Sequence, residues 1–139
     1  GLWGGIMTTM ALKKKLGGII TDGAVRDSQE IIEACFPVFS KSISPLGGFK
    51  ESPGSVNIPV SCGGVAVNPG DIAIGDDDGV VVIPKEKAEE VLELCKKTAV
   101  KEGDLIKAIN DGKTLFEALN LNKKLENINM KLPESKEEL

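Results

Sequence analysis

Over residues 6–43 the apolar spacing switches repeatedly between helical and strand-like, and this alternation limits the folds open to the chain more than any single motif. In "IMTTMALKKKL" (6–16), Ile6, Met7, Met10 and Ala11 recur at helical spacing, and the run ends in lysines that suit a helix C-terminus. Gly17-Gly18 is predicted to stop that helix. "GIIT" (18–21) reads as a short strand closed by a turn at Asp22-Gly23. Ile31, Ile32 and Cys35 predict a short helix from Ser28 to Cys35, and "FPVFSKSI" (36–43) is β-like again. Helix–strand–helix–strand is the rhythm of an α/β layer.

Residues 44–54 read as loop, and "VNIPVSCGGVAV" (56–67) as β structure that alternates in part. After a turn at "NPGD" (68–71), "IAI" (72–74) meets "VVVI" (80–83) across "GDDDG", a predicted hairpin with an acidic loop. The unbroken run Val80–Ile83 predicts a strand buried on both faces. From Pro84 the pattern is helical. Ala88, Val91, Leu92, Cys95 and Ala99 form one apolar face, a second helical stretch holds Leu105, Ile106 and Ile109, and Gly112 ends it. Residues 114–121 predict one more short helix. No repeat and no linker is visible. The expectation is an α/β domain over residues 1–121 and a charged C-terminal tail over 122–139, mobile from Lys131 onward.

A composition of 41% apolar and 27% charged residues reads as a soluble globular protein. With a net charge of −4 and no dense basic cluster, nucleic acid is not an expected partner; Lys13-Lys14-Lys15 is read as a solvated helix end. No apolar run approaches the roughly 20 residues that cross a bilayer, and Gly1–Gly5 lacks the basic region of a signal peptide, so no membrane association and a cytoplasmic location are expected. Because the chain does not begin with Met, it is expected to start inside something larger or to be a processed or engineered fragment. Cys35, Cys62 and Cys95 are isolated in apolar company, which predicts buried structural thiols in a reducing compartment. Histidine and tyrosine are absent. That removes Ser-His-Asp and Cys-His catalysis and the usual histidine metal ligands; a metal here would take oxygen ligands, as Mg²⁺ and Mn²⁺ do.

The stretch "TDGAVRDSQE" (21–30) carries two readings. Asp27 followed three residues later by Glu30, ahead of Ile31-Ile32, fits a capping box that leaves Arg26 on the surface, and read alone this is favoured. Alternatively, Arg26, the only arginine of the chain, offers a planar fork for a carboxylate, and Asp27 beside it can hold a divalent metal. Gly4-Gly5, at the start of the first predicted helix, would present free backbone N–H groups as an anion seat. A small oxo acid between them is set up for reaction through an enolate. Asp76, Asp77 and Asp78 lack the alternating ligands of a calcium loop and read as a solvated turn.

The segments "LWGGIMTTMALKKKLGGIITDGAVRD" (2–27), "PVFS" (37–40) and "VNIPVSCGGVAVNPGDIAIGDDDGVVVIP" (56–84) resemble the RraA-like family, with a likeness running over roughly residues 2–112. That family includes class II 4-hydroxy-4-methyl-2-oxoglutarate aldolases, which also decarboxylate oxaloacetate, and the regulator of ribonuclease E activity; some members were formerly labelled demethylmenaquinone methyltransferases. The resemblance implies an α/β fold, a swivelling β/β/α domain lacking its N-terminal segment here, assembled as a homotrimer or hexamer. It implies that Gly4, Gly5, Ile6 and Met7 wall a pyruvate moiety, that Arg26 binds substrate and steadies the enolate, and that Asp27 anchors Mg²⁺ or Mn²⁺. Glu30 completes a motif that favours the enzyme, and Glu102 is a supporting candidate reaching a neighbouring subunit's site. Many family aldolases carry Asp or Glu where this chain has Gly5. The resemblance thus implies a metal-dependent pyruvate aldolase and oxo-acid decarboxylase. Its alternatives are a non-catalytic regulator binding a ribonuclease or helicase, a binding module whose chemistry is lost, and a domain fused to a hexulose-phosphate synthase.

Overall fold

The structure, a computed structural model, describes residues 1–49, 51 and 53–127. The elements are α1 (Gly5–Lys13), β1 (Ile19–Val25), α2 (Ser28–Glu33), β2 (Val38–Ile43), β3 (Val60–Cys62), β4 (Val65–Val67), β5 (Ile72–Asp76), β6 (Gly79–Ile83), α3 (Ala88–Asn110), α4 (Leu115–Ala118) and α5 (Leu121–Asn127). They fall into two compact units, Gly1–Ala88 and the part from Glu89 onward. The helix–strand–helix–strand expectation is met. The mobile tail expected from Lys131 lies outside the described residues, and α5 runs beyond the expected start of that tail at residue 122.

In the first unit, β1 and β2 pair in parallel, with Ile19 opposite Val38 and Val25 opposite Ile43. Residues 2 and 3 continue this layer beside the end of β1: Leu2 N–H donates to Ala24 O, Arg26 N–H donates to Trp3 O at 2.9 Å, and Trp3 bridges Val25 in parallel. The chain then enters α1. Asp22-Gly23 is not the expected turn; it is an irregularity inside β1, where the register shifts between Thr21 and Ala24. The Asp22 carboxylate accepts the Gly63 N–H at 3.1 Å, tying the bulge to the turn between β3 and β4. A bulge lets one polar side chain leave the ladder without ending the strand.

Both short helices end on non-glycine residues in the left-handed region. Lys15 (φ 56°) follows α1, with Leu16 N–H bonded to Ala11 O, so α1 stops before the Gly17-Gly18 pair expected to stop it. Cys35 (φ 50°) follows α2, and Phe36 N–H reaches back to Ile31 O; both Phe36 and Ile31 are buried. That geometry turns the Cys35 thiol outward. Cys35 and Cys95 are exposed and Cys62 half-buried, so the expected burial of the thiols is not found.

The buried apolar residues are Ala11, Val25, Ile31 and Phe36, contributed by α1, β1 and the α2 region. Each of the large ones is worth about 1.5–3 kcal/mol relative to exposure. β3–β4 and β5–β6 are antiparallel hairpins, the second being the hairpin predicted across residues 75–79, with Asp76 itself paired to Gly79. β6 is not buried on both faces: Val81 is 59% exposed, and among the described residues β5–β6 is a two-stranded ribbon. Asp71 clamps its base, accepting N–H groups from Asn68 at 2.8 Å and Lys85 at 3.2 Å. Those donors hold its carboxyl below the usual aspartate value, the Asn68 N–H most strongly.

In the second unit the two predicted stretches after Ala88 form one helix, α3. Its end is a glycine stop as predicted: Gly112 (φ 94°) donates to Ile109 O, and Lys113 N–H reaches Ala108 O. α4 opens with a capping box. Thr114 Oγ1 accepts from Glu117 N–H, and the Glu117 carboxylate accepts from Thr114 N–H at 2.8 Å.

Candidate active site

β1 ends at Val25, and its next two residues, Arg26 and Asp27, leave the carboxyl end of a parallel strand, where ligands of open α/β sheets bind. Asp27 stands at the N-cap position of α2, yet its side chain does not cap that helix, and no capping box with Glu30 forms. Its backbone lies in the left-handed region (φ 55°, ψ 39°), which swings the carboxylate away from α2 and toward α1. There Oδ2 accepts the Gly5 N–H at 3.0 Å. The cap is lost because a second helix start competes for the same carboxylate, and the left-handed backbone is a local cost held by the surrounding fold.

Gly4 and Gly5 are buried, and side chains from residues 26–30 approach both closely. A Cβ on Gly4 would lie 2.6 Å from Asp27 Oδ2 and 3.0 Å from Arg26 Nε. A Cβ on Gly5 would collide with Glu30 Oε2, so the Glu30 carboxylate occupies the space a side chain at position 5 would need. Glu30 is exposed, and its carboxylate has no hydrogen-bond or ion-pair partner among the described residues. Arg26 is half-buried, with Nε 3.5 Å from Asp27 Oδ2. With Gly4, Ile6 and Met7 it lines a cavity of about 220 Å³, closed further by Leu2, Trp3 and Phe49. The first-turn N–H groups of Ile6 and Met7 have no partner among the described residues. Arg26 and the start of α1, with its free N–H groups, therefore border one small space.

Two residues that sequence reasoning missed hold this arrangement. Thr8, 2% exposed, donates its hydroxyl to Gly4 O at 3.1 Å and accepts from Trp3 Nε1 at 2.8 Å. Trp3 in turn stacks on Phe36 with ring centroids 6.2 Å apart. The available signal was a lone tryptophan five residues before a threonine on the inner face of α1. Glu102 is exposed on α3 in the second unit, where it lines a cleft against α4.

The donor chemistry fits a hard divalent cation. Asp27 Oδ1 has no partner among the described residues, and those residues gather no group of three or more His, Cys, Asp or Glu. Mg²⁺ is commonly held by one or two carboxylates, with water and substrate completing its octahedron. No helix among the described residues is long and apolar enough to cross a membrane.

The RraA-like family model, described as Aldolase/RraA, matches residues 1–82. An uncharacterized protein of Methanocaldococcus jannaschii is 42% identical over 86% of this chain and 58% of its own length. A 4-hydroxy-4-methyl-2-oxoglutarate aldolase of Thermus thermophilus is 33% identical over 60% of this chain and 51% of its own. Among solved structures, an unusual member of the RNase ES inhibitor RraA family from Streptomyces coelicolor superposes with a TM-score of 0.65 at 32% identity, over 74% of this chain and 53% of that one. The chain spans about half the length of the curated relatives it matches. From the matched span, the shared fold and these identities, the chain belongs to the RraA-like family.

Proposed function

We propose that this chain carries the substrate site of a divalent-metal-dependent pyruvate aldolase, of the 4-hydroxy-4-methyl-2-oxoglutarate aldolase kind, that also decarboxylates oxaloacetate. One observation carries the reading: Arg26, Ile6 and Met7 line the same small cavity at the start of α1, where the N–H groups of Ile6 and Met7 have no partner among the described residues and Gly5 N–H holds the Asp27 carboxylate. The name of the Thermus thermophilus relative points the same way.

The pyruvyl carboxylate of the substrate sits between Arg26 and the start of α1, where a planar fork and helix N–H groups pair with its oxygens. Mg²⁺ or Mn²⁺ held by Asp27 would supply Lewis-acid polarisation of the neighbouring keto oxygen. Cleavage breaks the C3–C4 bond. Its electron pair passes into the pyruvyl half as an enolate, the C4 hydroxyl gives up its proton and becomes the second product's carbonyl, and C3 then takes a proton to give pyruvate. With oxaloacetate the same bond breaks and carbon dioxide leaves. Arg26 steadies the charge that gathers on the enolate, and Gly4 keeps its guanidinium close enough to do so. Homotrimeric or hexameric assembly in the cytoplasm belongs to the same proposal.

Pyruvate release from oxaloacetate and from 4-hydroxy-4-methyl-2-oxoglutarate, with and without Mg²⁺, tests the reading on the full-length protein. Turnover that needs the metal and falls about 10²–10³-fold in Arg26→Ala is expected; no turnover with either substrate would sink it. The likeness to an RNase ES inhibitor supports a second reading, a non-catalytic regulator. Ribonuclease inhibition that survives Asp27→Ala, without pyruvate release, would favour that one.

A further inference from the structure

The buried face of α1 is formed by Gly5, Thr8 and Ala11, and Thr8 is the one polar side chain on it. At 2% exposure it lies beneath the cavity rather than in its lining. A hydroxyl that bonds back to the carbonyl four residues earlier adds little to a helix and can bend it, so helix stability does not account for a polar group here. What the back-bond does is fix the hydroxyl rotor. Thr8 Oγ1 donates to Gly4 O at 3.1 Å, the carbonyl that also takes the Thr8 N–H at 3.0 Å. Its lone pairs are left for the Trp3 indole, whose Nε1–H donates to it at 2.8 Å.

Trp3 carries that bond to the site. Its backbone carbonyl accepts the Arg26 N–H at 2.9 Å, and its ring stacks on Phe36 with 13° between the planes. With Gly4, Ile6, Met7 and Arg26 it also lines the cavity. The first turn of α1 is thus tied to the corner at Arg26 and Asp27 twice. One tie is at Gly5, whose N–H the Asp27 carboxylate accepts; the other is about a turn further on, at Thr8, through Trp3. A single tie lets a helix pivot about it, whereas two ties a turn apart fix its direction. Ile6 and Met7 fall between the two.

We infer that the Thr8 hydroxyl is a positioning group for the substrate carboxylate: through the Trp3 indole it aims the first turn of α1 at the space beside Arg26. This rests on the aldolase reading, in which the pyruvyl carboxylate sits at that turn. That carboxylate keeps its charge from bound substrate through to product, so its binding is uniform along the reaction. Loosening it raises KM and leaves kcat nearly unchanged.

The test measures kcat and KM for oxaloacetate with Mg²⁺ on full-length protein. Thr8→Val keeps the volume and removes the acceptor; Trp3→Phe keeps a ring against Phe36 and removes the donor. Each is expected to raise KM about tenfold, with kcat within about threefold of the unaltered protein. The double variant should be no worse than Thr8→Val, because both changes remove one bond. Thr8→Ser, which keeps the oxygen, should restore KM. If Thr8→Val does not fold, Trp3→Phe decides alone, since it leaves the bond from Thr8 to Gly4 in place. Unchanged KM in Trp3→Phe overturns the inference, and so does a lowered melting temperature in Thr8→Val with both constants unchanged, or a double variant whose KM rises by the product of the two single effects. The aldolase reading then still stands. No pyruvate release by the unaltered protein removes that reading, and this inference with it.

Discussion

At the scale of single residues, the site depends on side chains that are missing as much as on those present. Gly4 has an extended backbone (φ −167°) that any residue adopts, so its requirement for glycine comes only from the Asp27 and Arg26 atoms pressed against it. Gly4→Ala should push the Arg26 guanidinium and the Asp27 carboxylate apart. Pyruvate release is then expected to fall at least tenfold while the melting temperature moves little; unchanged turnover would contradict the packing argument. Asp27→Asn keeps an acceptor for Gly5 N–H but removes the charge. It should abolish the Mg²⁺ dependence of turnover, read by titrating the metal, and leave the fold intact by circular dichroism. The sequence marked Arg26, Asp27, Gly4 and Gly5, because a lone arginine beside an aspartate and a glycine pair are visible as letters. Read alone, it favoured a capping box for Asp27. Which helix start receives that carboxylate is a matter of distance between segments 22 residues apart, and no local pattern encodes it.

At the scale of elements, the positioning parts are α1, the end of β1 and α2, and these also hold the small core. Ile31 on α2 is buried, and its N–H donates to Asp27 O at 3.1 Å. Ile31→Ala should cost about 2–5 kcal/mol, measured by denaturant unfolding, and should weaken substrate binding as well, because α2 would no longer fix its own first residue. The helix starts also differ in their response to acid. Glu117 is held below the ordinary glutamate value by the Thr114 N–H and hydroxyl. Its folded value lies under its unfolded one, so the stabilisation is complete above about pH 4.3 and is lost as pH falls through the folded value. Asp71 behaves in the same sense around its own lower reference, about pH 3.9. Protection factors of the Thr114 and Lys85 amides, corrected for intrinsic exchange, should therefore fall as pH drops below about 4 and hold constant above about pH 5. Helix and strand identities were largely legible, since period and turn residues are local. The bulge at Asp22-Gly23 was not, because it exists to serve a partner at Gly63.

At the scale of the whole molecule, the first unit leaves much apolar surface uncovered. A groove of about 870 Å³ runs between β1–β2 and the two hairpins, lined by Ile20, Phe39, Val60, Val65 and Val82 among others. Val80–Ile83 reads as a strand covered on two sides, and here one side is open. Apolar surface on this scale is normally covered by further chain or by another copy. Full-length protein is accordingly expected to sediment as a homotrimer or hexamer, at a multiple of its own subunit mass; a monodisperse monomer would contradict the proposed assembly. Phe39 also shows how the layers meet: its ring lies on Gly75, and a Cβ there would stand 2.7 Å from Cε2. Gly75→Val should therefore destabilise the first unit by about 1–3 kcal/mol in denaturant unfolding.

By itself the sequence determined the order of helices and strands, the hairpin around Asp76–Asp78, the glycine stop after α3, and the residue types from which an oxo-acid site can be assembled. All of these are written in neighbouring residues, through period, turn chemistry and the absence of histidine. Only the tertiary structure decided that Asp27 serves α1 rather than α2, that Glu30 fills the space above Gly5, that Thr8 and Trp3 brace the site, and that Cys35, Cys95 and one face of β6 lie open. Each of these depends on which surfaces meet, and contact between residues far apart in sequence leaves no local trace.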